Sequence, residues 1–342
     1  MTRNYAPTSS RKRLVAEVVI YGNIAWILGV TYVAQLNAFL GESQVSWFGR
    51  ESFVFDIASG NGDDPYRWRL LIPLTVVGLD FVDNRIFDVT SISEIQMVSY
   101  FMCFLAYLLG IRFMMTSYGY SKNVAFGSGI AGGLLLIPMF GDHGYQAWSW
   151  LDLALIPAAV LLVRLRPQWI AAFALLVLIG SLNRETSLLL PLVPLSAYLV
   201  TRGEPRSRAL LRLTIVSALV AVGVAVFLRT IWPGPAAERV MDLEEILRMN
   251  TEGGAIGMTF MNLAMVFGAL LILAAYATFK GWAPPMAQVT ALTVGGSTIA
   301  IWLVFALWWE VRVLGPLLVV MLPVAMAGIF GPAPSQRVQA ST

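Results

Sequence analysis

The chain has 342 residues, of which 58% are hydrophobic and 13% are charged, and its mean hydropathy is +0.72. A water-soluble fold cannot bury this much apolar surface, so the composition excludes a soluble protein and indicates a polytopic membrane protein. The formal net charge of +3 comes from basic residues dispersed over many loops, which does not indicate a nucleic-acid partner, and the single cysteine, Cys103, excludes an internal disulfide.

Membrane-spanning helices are predicted wherever an apolar run approaches the ~20 residues that cross a bilayer. The run after the basic tail of residues 1–13 is too long for a signal peptide, so we expect it to be retained as the first helix. The pattern predicts an all-α polytopic membrane protein with about ten transmembrane helices in a single domain over residues 14–330. The predicted spans are 14–36, 95–115, 123–141, 151–164, 168–182, 187–201, 209–230, 257–279, 285–308 and 312–330.

The orientation is predicted from the distribution of Lys and Arg between loops. With the N-terminus in the cytoplasm, the inner segments contain most of the 23 basic residues, and only Glu17 and Glu204 oppose them. Cytoplasmic segments carry the excess of basic residues in membrane proteins. We therefore expect both termini to be cytoplasmic, with residues 331–342 forming a disordered tail.

Two outer loops stand out in this topology, at residues 37–94 and 231–256. The first contains an apolar stretch at 70–83 that would reach only ~21 Å as a helix and includes Pro73 and Gly78. Counting it as a crossing would place most basic residues outside, so we predict a short interfacial helix that does not cross. Long loops are often functional, which makes the first outer loop a candidate functional element.

The first candidate cluster lies in that loop, in the sequence FDIASGNGDDPYRWRLLIPL at residues 55–74. Its carboxylates, Asp56, Asp63 and Asp64, suit a general base or a divalent metal ion, and its two arginines, Arg67 and Arg69, suit a phosphate group. The alternative is a loop whose acids only neutralise its arginines. Because charge beside the bilayer is functional by default, the functional interpretation is favoured.

The second cluster is the turn SLNRETSLLLPL at residues 181–192. Arg184 and Glu185 are adjacent, so their side chains diverge on a helix and each needs a partner elsewhere. The alternative is an ordinary turn in which Asn183 caps a helix that has Glu185 in its first turn. The spacing alone does not separate the two interpretations.

The third cluster is WWEVRVLGPLL at residues 308–318, with Glu310 and Arg312 between the last two spans. Its tryptophans fit an interfacial aromatic belt, which accounts for the turn without a function. A bridge from Glu310 to Arg184, or from Arg312 to Glu185, would instead join the two turns around one outer cavity.

Two weaker signals remain. His143, the only histidine, lies in a short outer loop and could act as an acid, a base or a ligand, although a lone histidine without a spaced partner is more often an ordinary loop residue. The glycine run at residues 127–133 matches G-x-G-x-x-G, but it lies within a predicted span. Close helix packing is therefore favoured over nucleotide binding.

Taken together, these motifs resemble the GT-C superfamily of polytopic glycosyltransferases. The resemblance rests on the acids of a long first outer loop, the Pro-Tyr-Arg-Trp-Arg-Leu-Leu-Ile-Pro segment that includes Tyr66, the Asn-Arg-Glu-Thr turn, and the late Glu-x-Arg followed by Pro. It implies a bacterial inner-membrane enzyme that takes sugar from a polyprenyl-phosphate donor and transfers it with inversion to an acceptor on the non-cytoplasmic face.

The resemblance also implies roles for the clusters. Asp56 is the expected base, followed by Asp63 and Asp64, and the expected donor-phosphate ligands are Arg67, Arg69, Arg184 and Arg312. Tyr66, Asn183, Glu185, Glu310 and His143 would support them, and the need for a metal stays open. Two other classes also remain open, namely a lipid or glycolipid flippase and a non-catalytic lipid-binding subunit of an assembly.

Overall fold

The computed structural model describes residues 8–40, 71–86, 92–139, 147–231, 248–251, 255–305 and 311–333, and no strand occurs within these ranges. The α-helices are α1 Thr8–Leu40, α2 Leu71–Ile86, α3 Ile92–Ser117, α4 Lys122–Leu134, α5 Ala147–Leu165, α6 Ile170–Asn183, α7 Leu192–Val200, α8 Ser207–Ile231, α9 Ala255–Leu263, α10 Ala269–Phe279, α11 Pro285–Thr290, α12 Gly296–Phe305 and α13 Gly315–Phe330. Short 3₁₀ segments lie at Ile137–Met139, Glu185–Leu189 and Val311–Leu314. The predicted all-α membrane protein is thereby confirmed at the level of fold class.

Five segments of the described chain are long and apolar enough to cross a membrane. They are Lys12–Tyr32, Met97–Ser117, Ser207–Ile231, Thr259–Phe279 and Pro285–Val304. Each corresponds to one of the ten predicted spans. The other five predicted spans fall on shorter described helices, of 9 to 19 residues. Five crossings are thus supported by length and composition, and the remaining five stay predictions.

Two of the long segments continue through a turn of π-helix. The first π-turn, Ala264–Gly268, joins α9 to α10, and the second, Ala291–Gly295, joins α11 to α12. A π-turn inserts an extra residue into the helical repeat and rotates the side chains that follow. The second π-turn packs against α13, where the absence of a side chain at Gly295 makes room for Leu317.

The centre of the bundle is α13. Every residue from Gly315 to Ala327 is buried, which fits a helix that is apolar on all faces and surrounded by other helices. α10 packs most closely against it: a Cβ atom at Gly328 would lie 2.5 Å from the backbone oxygen of Leu273. Glycine is therefore required there for the two backbones to approach.

Several segments that the sequence predicts to be cytoplasmic lie together at one end of the bundle. Arg13 and Glu17 of α1 meet Arg112 of α3, and the guanidinium of Arg164, at the end of α5, donates to the backbone oxygen of Ser117. The guanidinium of Arg206, just before α8, donates in turn to the end of α5. We call this the basic end. The contacts make α1 and α3 antiparallel.

The glycine run at residues 127–133 lies in α4 and serves helix packing. A Cβ atom at Gly129 would lie 2.4 Å from the hydroxyl oxygen of Tyr21, and one at Gly132 would lie 3.0 Å from the hydroxyl of Tyr107. The Tyr21 hydroxyl donates to the backbone oxygen of Phe126 at 2.9 Å, which fixes the ring against α4. The prediction of close helix packing at this glycine run is confirmed by these contacts.

Replacing Gly129 with Ala should lower the free energy of unfolding by about 1–3 kcal/mol, because the fully buried Tyr21 ring would have to move. Gly127→Ala is the matched control, since no atom lies within 4 Å of the position that its Cβ would occupy. Thermal unfolding of both variants in detergent tests this. An unfolding midpoint of Gly129→Ala at or above that of Gly127→Ala would contradict the packing assignment.

Candidate functional site

A buried carboxylate, Asp152, forms the centre of a polar cluster at the end of the bundle opposite the basic end. The residue lies near the start of α5 and is only 5% exposed. Its Oδ1 accepts hydrogen bonds from Asn183 Nδ2 at 2.7 Å and from Ser187 Oγ at 3.2 Å, and its Oδ2 accepts one from Thr186 Oγ1. A carboxylate at this depth requires such partners, because an unpaired buried charge is strongly destabilising.

The three donors are positioned by the turn between α6 and α7. After α6 ends at Asn183, Arg184 takes an extended backbone with φ −163° and ψ 153°, and its N–H donates to the backbone oxygen of Gly180 at 2.8 Å. The 3₁₀ segment Glu185–Leu189 then reverses the chain, which brings Thr186 and Ser187 to the same side as Asn183. Gly180 allows this turn, because a Cβ atom there would lie 2.6 Å from Ser187 Oγ.

The role of Asn183 differs from the alternative that treated the turn as a simple cap. The residue is the last of α6 and not the cap of the following segment, and its side-chain amide donates to Asp152. An N-cap would use the side-chain oxygen of Asn183 to accept a backbone N–H, whereas here the amide nitrogen donates to a carboxylate. The alternative of an N-cap at Asn183 is therefore not supported.

Arg184 supplies the positive charge of the cluster. It is 7% exposed and lies close enough to Asp152 for the two opposite charges to interact. The sequence predicts that Arg184 needs a partner other than Glu185, and the buried carboxylate of Asp152, on α5, supplies an opposite charge near it.

A cavity of about 10 Å³ lies beside the carboxylate and is bordered by Thr186, Ser187, Val294 and Pro316. Its size corresponds to about one water molecule, so neither a sugar nor a lipid headgroup fits inside. A substrate of that size does not enter the space beside Asp152, so this carboxylate is suited to positioning its neighbours.

Aromatic side chains pack the start of α5 against α1 and α3. The ring of Trp150 lies 5.2 Å from that of Tyr32 and 5.3 Å from that of Phe104, and Tyr32 also meets Tyr100 at 5.3 Å. These buried edge-on and tilted ring contacts fix the start of α5, two residues before Asp152. The rings thus help to fix the position of the Asp152 carboxylate relative to its partners.

The structure places only some of the predicted site residues. Asn183 and Arg184 belong to the cluster around Asp152, whereas the backbones of Glu185 and Arg312 lie in 3₁₀ segments and their side chains are not described. Both segments contact α12, so the two turns share one end of the bundle, as predicted. The predicted residues that lie outside the described ranges are Asp56, Asp63, Asp64, Tyr66, Arg67, Arg69, His143 and Glu310.

Metal binding is not indicated in the part of the chain that the structure describes. No group of three or more His, Cys, Asp or Glu side chains comes together there. The acids of the first outer loop, Asp56, Asp63 and Asp64, lie outside that part, so the need for a divalent ion at these residues stays open.

Sequence reasoning missed Asp152 as a site residue. The signal was present, because Asp152 is an isolated acid at the start of an apolar run, and a charge in that position needs a partner or a function. Its partners, however, are 31 to 35 residues away in the chain. No fixed spacing connects them, so only the folded arrangement identifies them.

Replacing Asp152 with Asn should lower the free energy of unfolding by about 1.5–3 kcal/mol, because three hydrogen bonds lose a charged acceptor and Arg184 loses its counter-charge. Asp152→Leu should destabilise the protein further, because it also leaves the three donors without an acceptor. Denaturant unfolding in detergent measures both effects. An Asp152→Asn variant as stable as the wild type would show that the cluster contributes little to the fold.

Comparisons with protein-family models, with curated proteins and with solved structures find no match to this chain. The resemblance to the GT-C superfamily therefore depends on the short motifs of the sequence, and the functional argument depends on the geometry of the cluster.

Proposed function

We propose that the protein is a membrane glycosyltransferase that takes sugar from a polyprenyl-phosphate donor. It transfers the sugar with inversion to a glycan, lipid or protein acceptor on the non-cytoplasmic face of a bacterial inner membrane. The observation that supports this best is the buried cluster that contains Asp152 and Arg184, at the end of the bundle opposite the basic end.

The position of Asp152 and Arg184 matters because it determines which kind of sugar donor, a nucleotide sugar or a lipid-linked sugar, can reach the site. If the basic end faces the cytoplasm, as the distribution of Lys and Arg favours, the pair is near the outer surface. Nucleotide sugars are confined to the cytoplasm, so a transferase acting outside needs a sugar carried across the membrane on a lipid. Such a donor presents its phosphate at the depth of the headgroups, where an oriented arginine can bind it.

In this proposal, each charged residue has a distinct role. Arg184, together with Arg67, Arg69 and Arg312, binds the donor phosphate and stabilises the charge that develops on it as the bond to the sugar breaks. Asp152 is a positioning residue that fixes the turn bearing Arg184. An acid of the first outer loop, Asp56 before Asp63 or Asp64, removes the proton from the acceptor hydroxyl.

The ten-crossing topology with cytoplasmic termini is part of the same proposal. It places the loops 37–94 and 231–256 on the side of the Asp152 cluster, where they would close over a lipid-linked donor. The three short apolar helices Ile170–Asn183, Thr186–Val200 and Gly315–Phe330 would then cross only as part of the packed bundle.

A lipid flippase is the main rival. Transporters place their charged binding residues near the middle of the membrane, at broken helices. Among the described residues, the buried charged side chains lie toward the ends of the bundle, with Glu17 and Arg112 at the basic end and Asp152 and Arg184 at the other. This distribution supports a site that acts at one surface.

The test is sugar transfer by the purified protein in liposomes, using radiolabelled polyprenyl-phosphate sugars with several different sugar groups. We expect transfer with one of them, strongly reduced in Arg184→Gln and partly retained in Arg184→Lys. Arg248→Gln, an exposed arginine outside the cluster, is the matched control. Donor binding without transfer would favour a lipid-binding subunit, and movement of the intact donor across the bilayer would favour a flippase; either result would overturn the proposal.

A further inference from the structure

A second site lies at the basic end, in a cavity of about 380 Å³ between the ends of α5 and α7 and the starts of α8 and α11. Its border includes the guanidinium groups of Arg164 and Arg206, the ring of Tyr118, and the apolar side chains of Val200 and Met286. A volume of this size accommodates a small ligand or a lipid headgroup. The site is separate from the Asp152 cluster, which lies at the other end of the bundle.

The two arginines are fixed in place by the ends of helices. Arg164 donates from Nε and Nη2 to the backbone oxygen of Ser117, at 3.1 and 2.6 Å, where α3 ends. Arg206 donates from Nη2 to the backbone oxygens of Val163 and Arg164, at 2.6 and 2.7 Å, where α5 ends. Carbonyl groups at helix ends carry partial negative charge, which favours cations there. The arginines are therefore held rigidly, but their full charges are not neutralised.

The remaining charge of the cavity is positive. Within the described ranges, neither Arg164 nor Arg206 forms an ion pair, although Glu204 is only two residues from Arg206. The two guanidinium groups are also close enough to repel each other. An anion between them would remove that repulsion and would gain charge-assisted hydrogen bonds.

The aromatic wall of the cavity stays neutral. The guanidinium of Arg164 lies over the ring of Tyr118, 4.3 Å from its centre, and burial raises the pKa of the Tyr118 hydroxyl to about 12. The phenol does not ionise at neutral pH, so it contributes a cation–π contact and does not compete with an anionic ligand.

From these observations we infer that the cavity at the basic end binds a phosphate group through Arg164 and Arg206. A phospholipid headgroup and free inorganic phosphate share this chemistry. Exposed apolar side chains lie along one face of α8, at Leu211, Ile215 and Leu219, and Leu211 is next in the chain to Leu210, which borders the cavity, so acyl chains could lie there. Basic pockets between membrane helices recognise anionic lipid headgroups in this way.

The test measures binding of phosphatidylglycerol to the detergent-solubilised protein by native mass spectrometry, with phosphatidylcholine as the uncharged comparison. We expect a single preferred phosphatidylglycerol and an affinity about tenfold lower in Arg206→Gln, which corresponds to roughly 1.4 kcal/mol. Arg208→Gln is the matched control, because Arg208 is exposed in the first turn of α8, two residues after Arg206, and does not border the cavity. Its affinity should stay within about twofold of the wild type.

A second variant keeps both charges and fills the space. Val200→Trp should also weaken phosphatidylglycerol binding, and unchanged elution on size exclusion would show that it is folded. Inorganic phosphate is tested separately, by its protection of the protein against thermal unfolding. Protection by phosphate without preference for phosphatidylglycerol would support the site with a soluble ligand. Binding of neither, or equal losses in Arg206→Gln and Arg208→Gln, would overturn it.

Discussion

Asp56→Asn should reduce sugar transfer by roughly 10²–10⁴-fold while donor binding is retained, because the amide keeps the size of the carboxyl group but cannot accept the proton of the acceptor hydroxyl. Transfer is measured with the donor identified in liposomes, and donor binding is measured separately at equilibrium. Asp88→Asn, another acid of the first outer loop outside the motif, is the control and should transfer at the wild-type rate.

The arginines of the same segment should respond differently. Arg67→Ala and Arg69→Ala should weaken donor binding, and Lys at either position should restore it only partly because it lacks the planar guanidinium. Wild-type transfer by Asp56→Asn would move the role of base to Asp63 or Asp64. Silent Asn replacements at all three acids would argue against a base in the first loop and for lipid binding or transport.

Glu17→Ala should lower the free energy of unfolding by about 3–5 kcal/mol, because it leaves Arg112 as a buried charge without its partner. Glu17 and Arg112 are 4% and 8% exposed. Arg112 Nε donates to Glu17 Oε2 at 2.5 Å, and Arg13 Nε donates to Oε1 at 2.8 Å. Arg13 also donates to Asn123 at 2.7 Å, so this one carboxylate connects α1, α3 and α4.

Denaturant unfolding in mixed micelles measures the effect of Glu17→Ala. Glu204→Ala is the control, because Glu204 is an exposed acid at the same end and forms no ion pair within the described ranges. The double variant Glu17→Met with Arg112→Met should recover much of the loss, since it removes both charges together. A single variant as stable as the control would show that Arg112 reaches water when its partner is removed.

Much of the helical framework could be predicted from local sequence. Apolar runs located the five long helices, and the glycines at residues 127–133 indicated close packing in α4, because both signals depend on neighbouring residues. The partner of Glu17 could not be predicted in this way. The sequence grouped Glu17 only with its own cytoplasmic segment, whereas Arg112 is 95 residues away and is brought near by antiparallel packing of α1 and α3.

In the candidate site, too, local sequence identified some residues but not their distant partners. Asn183 and Arg184 were recognised because they interrupt an apolar sequence, but Asn183 donates to Asp152 and Arg184 lies near it, and Asp152 belongs to a different helix. A single sequence does not indicate which of several isolated charges come together. The bridge from Glu310 to Arg184 stays a prediction, since Glu310 lies outside the described residues.

The place of α13 at the centre of the bundle also bears on how the protein is assembled. Ribosomes deliver helices to the membrane in chain order, yet the surfaces that meet α13 belong to helices made earlier, such as Leu273 on α10 and the π-turn at Gly295. Until residues 315–330 are made, those surfaces have no α13 to pack against. The bundle therefore reaches its final packing only after its innermost helix has been made.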